Sequence, residues 1–213
     1  MEREEKERYI LDMEISDREK QERYEAMKKI RDEVINLKES PLYISRVKPV
    51  IGEGSHFSKI IFIGEAPGKN EAETGRPFCG AAGKVLDELL ESAGIKRDEI
   101  YITNIVKDRP PNNRDPLPEE IKLYAPFLDR QVEIIRPEVI ATLGRYSMVY
   151  IMERYGLSEM VEPISKARGK IYETSMPYGI VKIVPLYHPA VAVYNRTMIK
   201  ILKEDFKVLR ELI

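Results

Sequence analysis

The chain has 213 residues, 43% of them hydrophobic, and a formal net charge of −1. That is enough for one sizeable core, and no apolar run approaches the length of a membrane span. A single cysteine, Cys79, excludes an internal disulfide framework and a cysteine-rich metal site. The opening MEREEKERY reads as neither a signal peptide nor a transit sequence, so the expected compartment is the cytoplasm. Near-neutrality conceals an uneven distribution. Residues 1–40 carry 13 acids and 10 bases, whereas residues 165–213 carry 9 bases and 4 acids. The basic C-terminal region suits a local anion-binding face, although solvated helix surfaces would give the same count. Abundant Lys and Glu beside only two Gln lean toward a heat-adapted source.

Residues 1–38 are expected to form a charged helical extension of one or two helices. Met27, Ile30, Val34 and Leu37 recur at helical spacing, and Ser16 with Glu19 reads as a capping box. A single α/β domain over 39–213 follows. Four β-rich runs lie at Lys59–Ile63, Ile100–Asn104, Val139–Leu143 and Val181–Leu186. Helical stretches separate or follow them at Gly83–Ser92, Pro118–Ile135, Ser147–Tyr155 and Thr197–Leu212. Near-continuous apolar strands alternating with helices imply a four-stranded parallel sheet between helical layers, a three-layer α/β/α fold. Such sheets place their sites at the C-terminal ends of the strands.

The first strand runs into Gly64-Glu65-Ala66-Pro67-Gly68-Lys69-Asn70-Glu71, then Gly75-Arg76-Pro77-Phe78. This is neither the dinucleotide glycine pattern nor a P-loop. A phenylalanine in a Gly/Pro-rich loop suits stacking on a flat ring; equally, Phe78 folds back into the core. The second strand ends in Asn104. Its amide offers an acceptor and a donor side by side, the complement of the N3–H and O4 edge of uracil and the reverse of cytosine; an Asn that merely caps a turn is the plainer alternative. Two strand-end loops, Lys107–Pro116 with Arg109 and Arg114, and Gly144-Arg145, hold cations fit for phosphate contacts, or are simply solvated. The last strand ends in Tyr187-His188-Pro189-Ala190-Val191-Ala192-Val193-Tyr194. There His188 is positioned either to donate to a developing anion or to serve a structural bond.

In this order the segments GEAPGKNE (64–71), GRPFCGAAG (75–83), YITNIVKDRPPNNRDPLPEEI (101–121), IRPEVIATLGR (135–145) and HPAVAV (188–193) resemble the uracil-DNA glycosylase superfamily, family 4 type. The likeness spans about residues 37–212. It implies a monofunctional enzyme that flips uracil out of DNA and hydrolyses its N-glycosidic bond in base excision repair. On that resemblance Phe78 stacks on the base and Asn104 reads it. His188 stabilises charge on uracil O2. Glu65 lies at the motif that positions water and sugar, beside Gly64 and Ala66. Glu71 lies near the C5 edge, where it would hinder a thymine methyl. Arg109, Arg114, Arg145 and Arg196 would contact DNA, and Val191, Ala192 and Val193 stand where the family usually has a leucine-bearing wedge. Uracil-containing DNA, single- or double-stranded, is the implied partner of a monomer, with a sliding clamp as a candidate protein partner and no membrane.

One departure is chemical. The family 4 type typically holds an iron–sulfur cluster on four cysteines, and the matching positions here are Leu37, Ser40, Asp108 and Tyr124. None is a thiolate, so the expectation is no cluster and no other cofactor or metal. Two alternatives stay open at this level. One is a non-catalytic reader of damaged or single-stranded DNA. The other is a glycosylase that prefers another deaminated base, such as hypoxanthine.

Overall fold

The computed structural model describes residues 2–212, with side chains from Ser16 onward. The elements are α1 (Glu2–Ile35), β1 (Glu53–Gly54), β2 (Ile60–Gly64), α2 (Lys69–Thr74), α3 (Ala81–Ala93), β3 (Tyr101–Asn104) and α4 (Pro118–Ile135). They continue with β4 (Val139–Leu143), α5 (Arg145–Arg154), α6 (Ile164–Ala167), β5 (Tyr172–Met176), β6 (Gly179–Leu186), α7 (Ala190–Tyr194) and α8 (Ile199–Arg210). Sheet order is β1-β3-β2-β4-β6-β5. The four expected strands β3, β2, β4 and β6 pair in parallel. Two strands not expected extend the sheet. The short β1 pairs antiparallel with β3, and β5 pairs antiparallel with β6 across a two-residue turn. The sheet is therefore mixed and six-stranded around a parallel centre.

Side chains on a strand alternate between faces, and here both faces are covered. Ile61, Ile63, Ile140 and Ile183 enter one core with α1, α4 and α5. Ile60, Phe62, Ala141 and Val184 enter the other with α3 and α8. That double burial is why the parallel strands read as apolar runs without a polar face.

Helix α1 is continuous through Ser16, so Ser16 and Glu19 cap no helix start; both lie mid-helix, on the exposed side. A long run of good helix formers without Gly or Pro carries the helix straight through. Its Met27, Ile30 and Val34 are buried in the core shared with α4. Arg130 on α4 pairs with Glu33, and Arg23 donates to the carbonyls of His56 and Ile135 at 2.9 and 3.1 Å. Among the described residues no helix is long and apolar enough to cross a membrane.

Candidate active site

The C-terminal ends of β2, β3 and β6 open onto one cavity of about 390 Å³, large enough for a small ligand. Glu65, Ala66, Glu71, Phe78, Asn104, Arg114 and His188 all line it. These seven residues come from segments up to 123 positions apart, and the parallel register brings them together: Gly64 at the end of β2 lies beside Asn104 at the end of β3.

Glycine is dictated at position 64 by what lies against it. A Cβ there would come within 2.3 Å of Asn104 Oδ1 and 2.9 Å of Phe78 Cζ. Gly64 therefore lines no cavity itself; it lets the base-reading candidates approach the strand. Phe78 has φ of 47°, a left-handed conformation unusual for a bulky residue. Such strain persists only where neighbours over-determine it. Arg97 holds the carbonyls of Pro77 and Phe78 at 2.8 and 3.2 Å, and Glu71 Oε1 accepts from the amides of Cys79 and Gly80 at 3.0 and 2.9 Å. The N-terminus of α3 presses on the same residue, since a Cβ on Gly83 would meet the Phe78 carbonyl oxygen. Phe78 is thus both core and cavity wall: it is 7% exposed, and its ring centroid lies 5.5 Å from that of His188.

His188 Nδ1 accepts from the Ala190 amide at 3.1 Å. A nitrogen that accepts carries no proton, so the ring's hydrogen is on Nε2. Burial lowers the His188 pKa to about 4, against a small opposing pull from Glu71. The side chain is therefore a neutral Nε2–H donor. Gly144 at the end of β4, with φ of 102°, leaves room for it, because a Cβ there would sit 3.2 Å from His188 Cβ. Glu65 is the reverse case. Burial first, then repulsion from Asp115, raises its pKa to about 7, with Arg145 pulling the other way. A carboxylate held near neutrality is suited to accept a proton.

Several candidates stand outside the cavity. Arg109 is tied to Asn113 at 2.7 Å. Arg145 is exposed, its guanidinium 4.6 Å from the Tyr146 ring. Arg196 is exposed and paired with Glu88. Arg114, by contrast, lines the cavity and is anchored by the fully buried Glu120, which also accepts from the Leu117 amide at the start of α4. One expectation is corrected. Ala192 is 2% exposed and packed in the α3/α8 core, so it faces no DNA. Helix α7 turns residues three and four apart onto one side, so Ala192 faces inward while Val193 and Tyr194 stand 44% and 90% exposed. Tyr194, absent from the expected set, borders the cavity, as do Asn113 and Asp115. Only an exposed aromatic after the histidine loop could have marked Tyr194 in the sequence.

The positions that match the cluster cysteines hold a different chemistry. Leu37 packs on the core. The buried Tyr124 hydroxyl donates to Asp108 and lies 2.9 Å from Ser40 Oγ. Arg46 joins them, its Nε donating to Asp108 Oδ1 at 2.8 Å and its Nη1 to the Ile35 carbonyl at 2.7 Å. Burial and the adjacent Asp108 carboxylate push the Tyr124 hydroxyl upward. Hydroxyl and carboxyl oxygens already bonded to one another do not fit an iron–sulfur cluster, which takes thiolates. Among the described residues no three His, Cys, Asp or Glu side chains gather as a metal site.

A parallel-sheet pocket with a neutral histidine donor, a perturbed carboxylate and an aromatic wall is the frame of a base-handling hydrolase. Residues 51–212 match the family model for the uracil DNA glycosylase superfamily, and the chain belongs to that superfamily. The proteins it is similar to include several type-4 uracil-DNA glycosylases. The chain is 49% identical over 189 residues to a type-4 uracil-DNA glycosylase of Sulfurisphaera tokodaii, covering 88% of this chain and 85% of that one. It is 46% identical to one of Saccharolobus solfataricus, covering 85% and 84%. It is 41% identical to one of Archaeoglobus fulgidus, covering 88% and 94%.

Proposed function

We propose that the protein excises uracil from DNA by hydrolysing the N-glycosidic bond, and that it does so without an iron–sulfur cluster, as the first step of base excision repair. The observation that carries this reading is the convergence of Glu65, Phe78, Asn104 and His188 on one cavity. Uracil enters only when flipped from the stack, at a cost of a few kcal/mol. Phe78 stacks on its face, and the Asn104 amide pairs with N3–H and O4.

In the reaction the C1′–N1 bond breaks with its electron pair going to the base. Positive charge grows on the sugar and negative charge on the pyrimidine. The His188 Nε2–H stabilises the second, as donors aimed at developing charge do. Ionised Glu65 favours the first and takes a proton from the water whose oxygen bonds to C1′. The uracil anion takes up a proton on release. Glu71 acts through position: its carboxylate fixes the loop that carries Phe78 and adds bulk beside the cavity. Arg114, Arg145 and Arg109 face the backbone of the strand; Val193 and Tyr194 fill the gap that the flipped base leaves, while the expected wedge residue Val191 packs half-buried against the α3/α8 core.

Uracil release from labelled oligonucleotides by the wild type, Asn104→Ala and His188→Ala tests this. Wild-type release, with each variant slowed by about 10²-fold or more, is expected. Binding without release by the wild type would contradict it.

A further inference from the structure

Lys107 is fully buried, yet it belongs to no ion pair among the described residues and takes no part in the chemistry above. Its Nζ lies 2.8 Å from Thr103 Oγ1, 2.6 Å from the Asn104 carbonyl and 2.6 Å from Gln131 Oε1. The Asn104 and Gln131 oxygens can only accept. The Thr103 hydroxyl donates to its nearer acceptor, the Ile51 carbonyl at 2.7 Å, rather than to Gln131 Oε1 at 3.3 Å, which leaves its oxygen to accept from Lys107. The Gln131 amide is oriented by its own donation to the same carbonyl at 2.9 Å and by Tyr101 at 3.1 Å. Three acceptors require three N–H groups, and only the ammonium has them. Burial alone drives this amine well below the ordinary lysine range; the hydrogen-bond count holds the proton in place against it.

The charge sits directly behind the site. Asn104 is the residue whose carbonyl it grips and whose side chain lines the cavity. The same segment is sewn to β2, because the Ile105 and Val106 amides donate to the Gly64 and Glu65 carbonyls at 3.0 Å each. In a low-dielectric interior an unpaired cation acts over several ångströms with little screening.

We infer that Lys107 is a positioning residue for base excision. Its buried ammonium locks Asn104 at the end of β3 and supplies a fixed positive charge behind the pocket that favours the departing pyrimidine anion. This rests on the glycosylase reading. It assigns a task to a cation whose burial has no other compensation, since buried charges are otherwise paired.

The test compares release of uracil and 5-fluorouracil, the second being the more stable anion and so in less need of help. Single-turnover rates on single-stranded oligonucleotides are measured for the wild type, Lys107→Met and Gln131→Met, with melting temperatures beside them. Lys107→Met is expected to slow uracil release on the order of tenfold or more. It should slow 5-fluorouracil release far less, so that the ratio of the two rates rises severalfold. Gln131→Met removes one of the three acceptors that hold the proton, so it should shift the ratio in the same direction as Lys107→Met and by less. If Lys107→Met does not fold, Lys107→Gln, which donates hydrogen bonds without charge, is read in its place. An unchanged ratio in the charge-removing variant overturns the inference, since loss of packing alone slows both bases alike. A wild type that releases neither base overturns the glycosylase reading, and this inference with it.

Discussion

Single residues at the ends of β2 and β6 set the chemistry, and their protonation sets its pH dependence. Glu65 works ionised, and burial raises its pKa to about 7. The excision rate should therefore climb as pH passes upward through about 7. His188, lowered to about 4, stays neutral throughout that range. Glu65→Gln should lower the rate by about 10²–10⁴-fold and abolish that limb, as a pH–rate profile would show. The linkage runs the other way for stability. A carboxyl whose folded pKa exceeds its unfolded value binds more protons when folded, so its contribution is lost as pH rises through the folded pKa. Glu65→Gln should therefore raise the melting temperature at pH 8 and leave it unchanged at pH 4. Gly64 is a second decisive position. Gly64→Ala pushes a methyl onto Asn104 Oδ1 and Phe78, and should cost on the order of 10²-fold in excision rate with the secondary structure retained by circular dichroism.

At the scale of elements, two short segments carry the departures from the family pattern. Helix α7 ends in Tyr194, 90% exposed at the cavity mouth. If it fills the gap in the duplex, Tyr194→Ala should reduce excision from duplex DNA by at least about tenfold while hardly changing excision from single strands. Arg46, Asp108, Tyr124 and Ser40 join the end of α1, the segment after it, the loop after β3 and α4. Removing one partner of a buried ion pair leaves the other uncompensated. Asp108→Ala should therefore cost about 3–5 kcal/mol in urea unfolding. How much of this was legible varies with the element. The four central strands are legible because burial on both faces makes them apolar throughout. β5 is hidden because its residues alternate between half-buried and exposed at the sheet edge, with Glu173 and Ser175 outward. The corner of α7 is hidden because a five-residue helix has too few turns for spacing to reveal which side faces in. The sequence alone therefore sets Ala192 beside Val191 and Val193 and does not mark Tyr194. The burial of Lys107 is hidden too, since a lysine in a loop after a strand reads as a surface cation until its three acceptors are seen.

For the whole molecule, the sheet holds the site and both helical layers hold the sheet. Helix α1 contributes to that core through Met27, Ile30 and Val34, and Ile30 is fully buried. Ile30→Ala should cost about 2–5 kcal/mol, measured by urea unfolding, as the helical spacing of Met27, Ile30 and Val34 in an otherwise charged segment already suggests. The resemblance carried the site roles, and the fold brings Glu65, Phe78, Asn104 and His188 to one cavity, an arrangement that no single motif contains. Uracil excision by this cavity is tested most directly by a base-release assay on uracil-containing single-stranded DNA with the wild type, Asn104→Ala and His188→Ala side by side. Multiple turnovers by the wild type, with both variants slowed by about 10²-fold or more at unchanged melting temperature, are expected. A wild type that binds the oligonucleotide and leaves its uracil in place would contradict it.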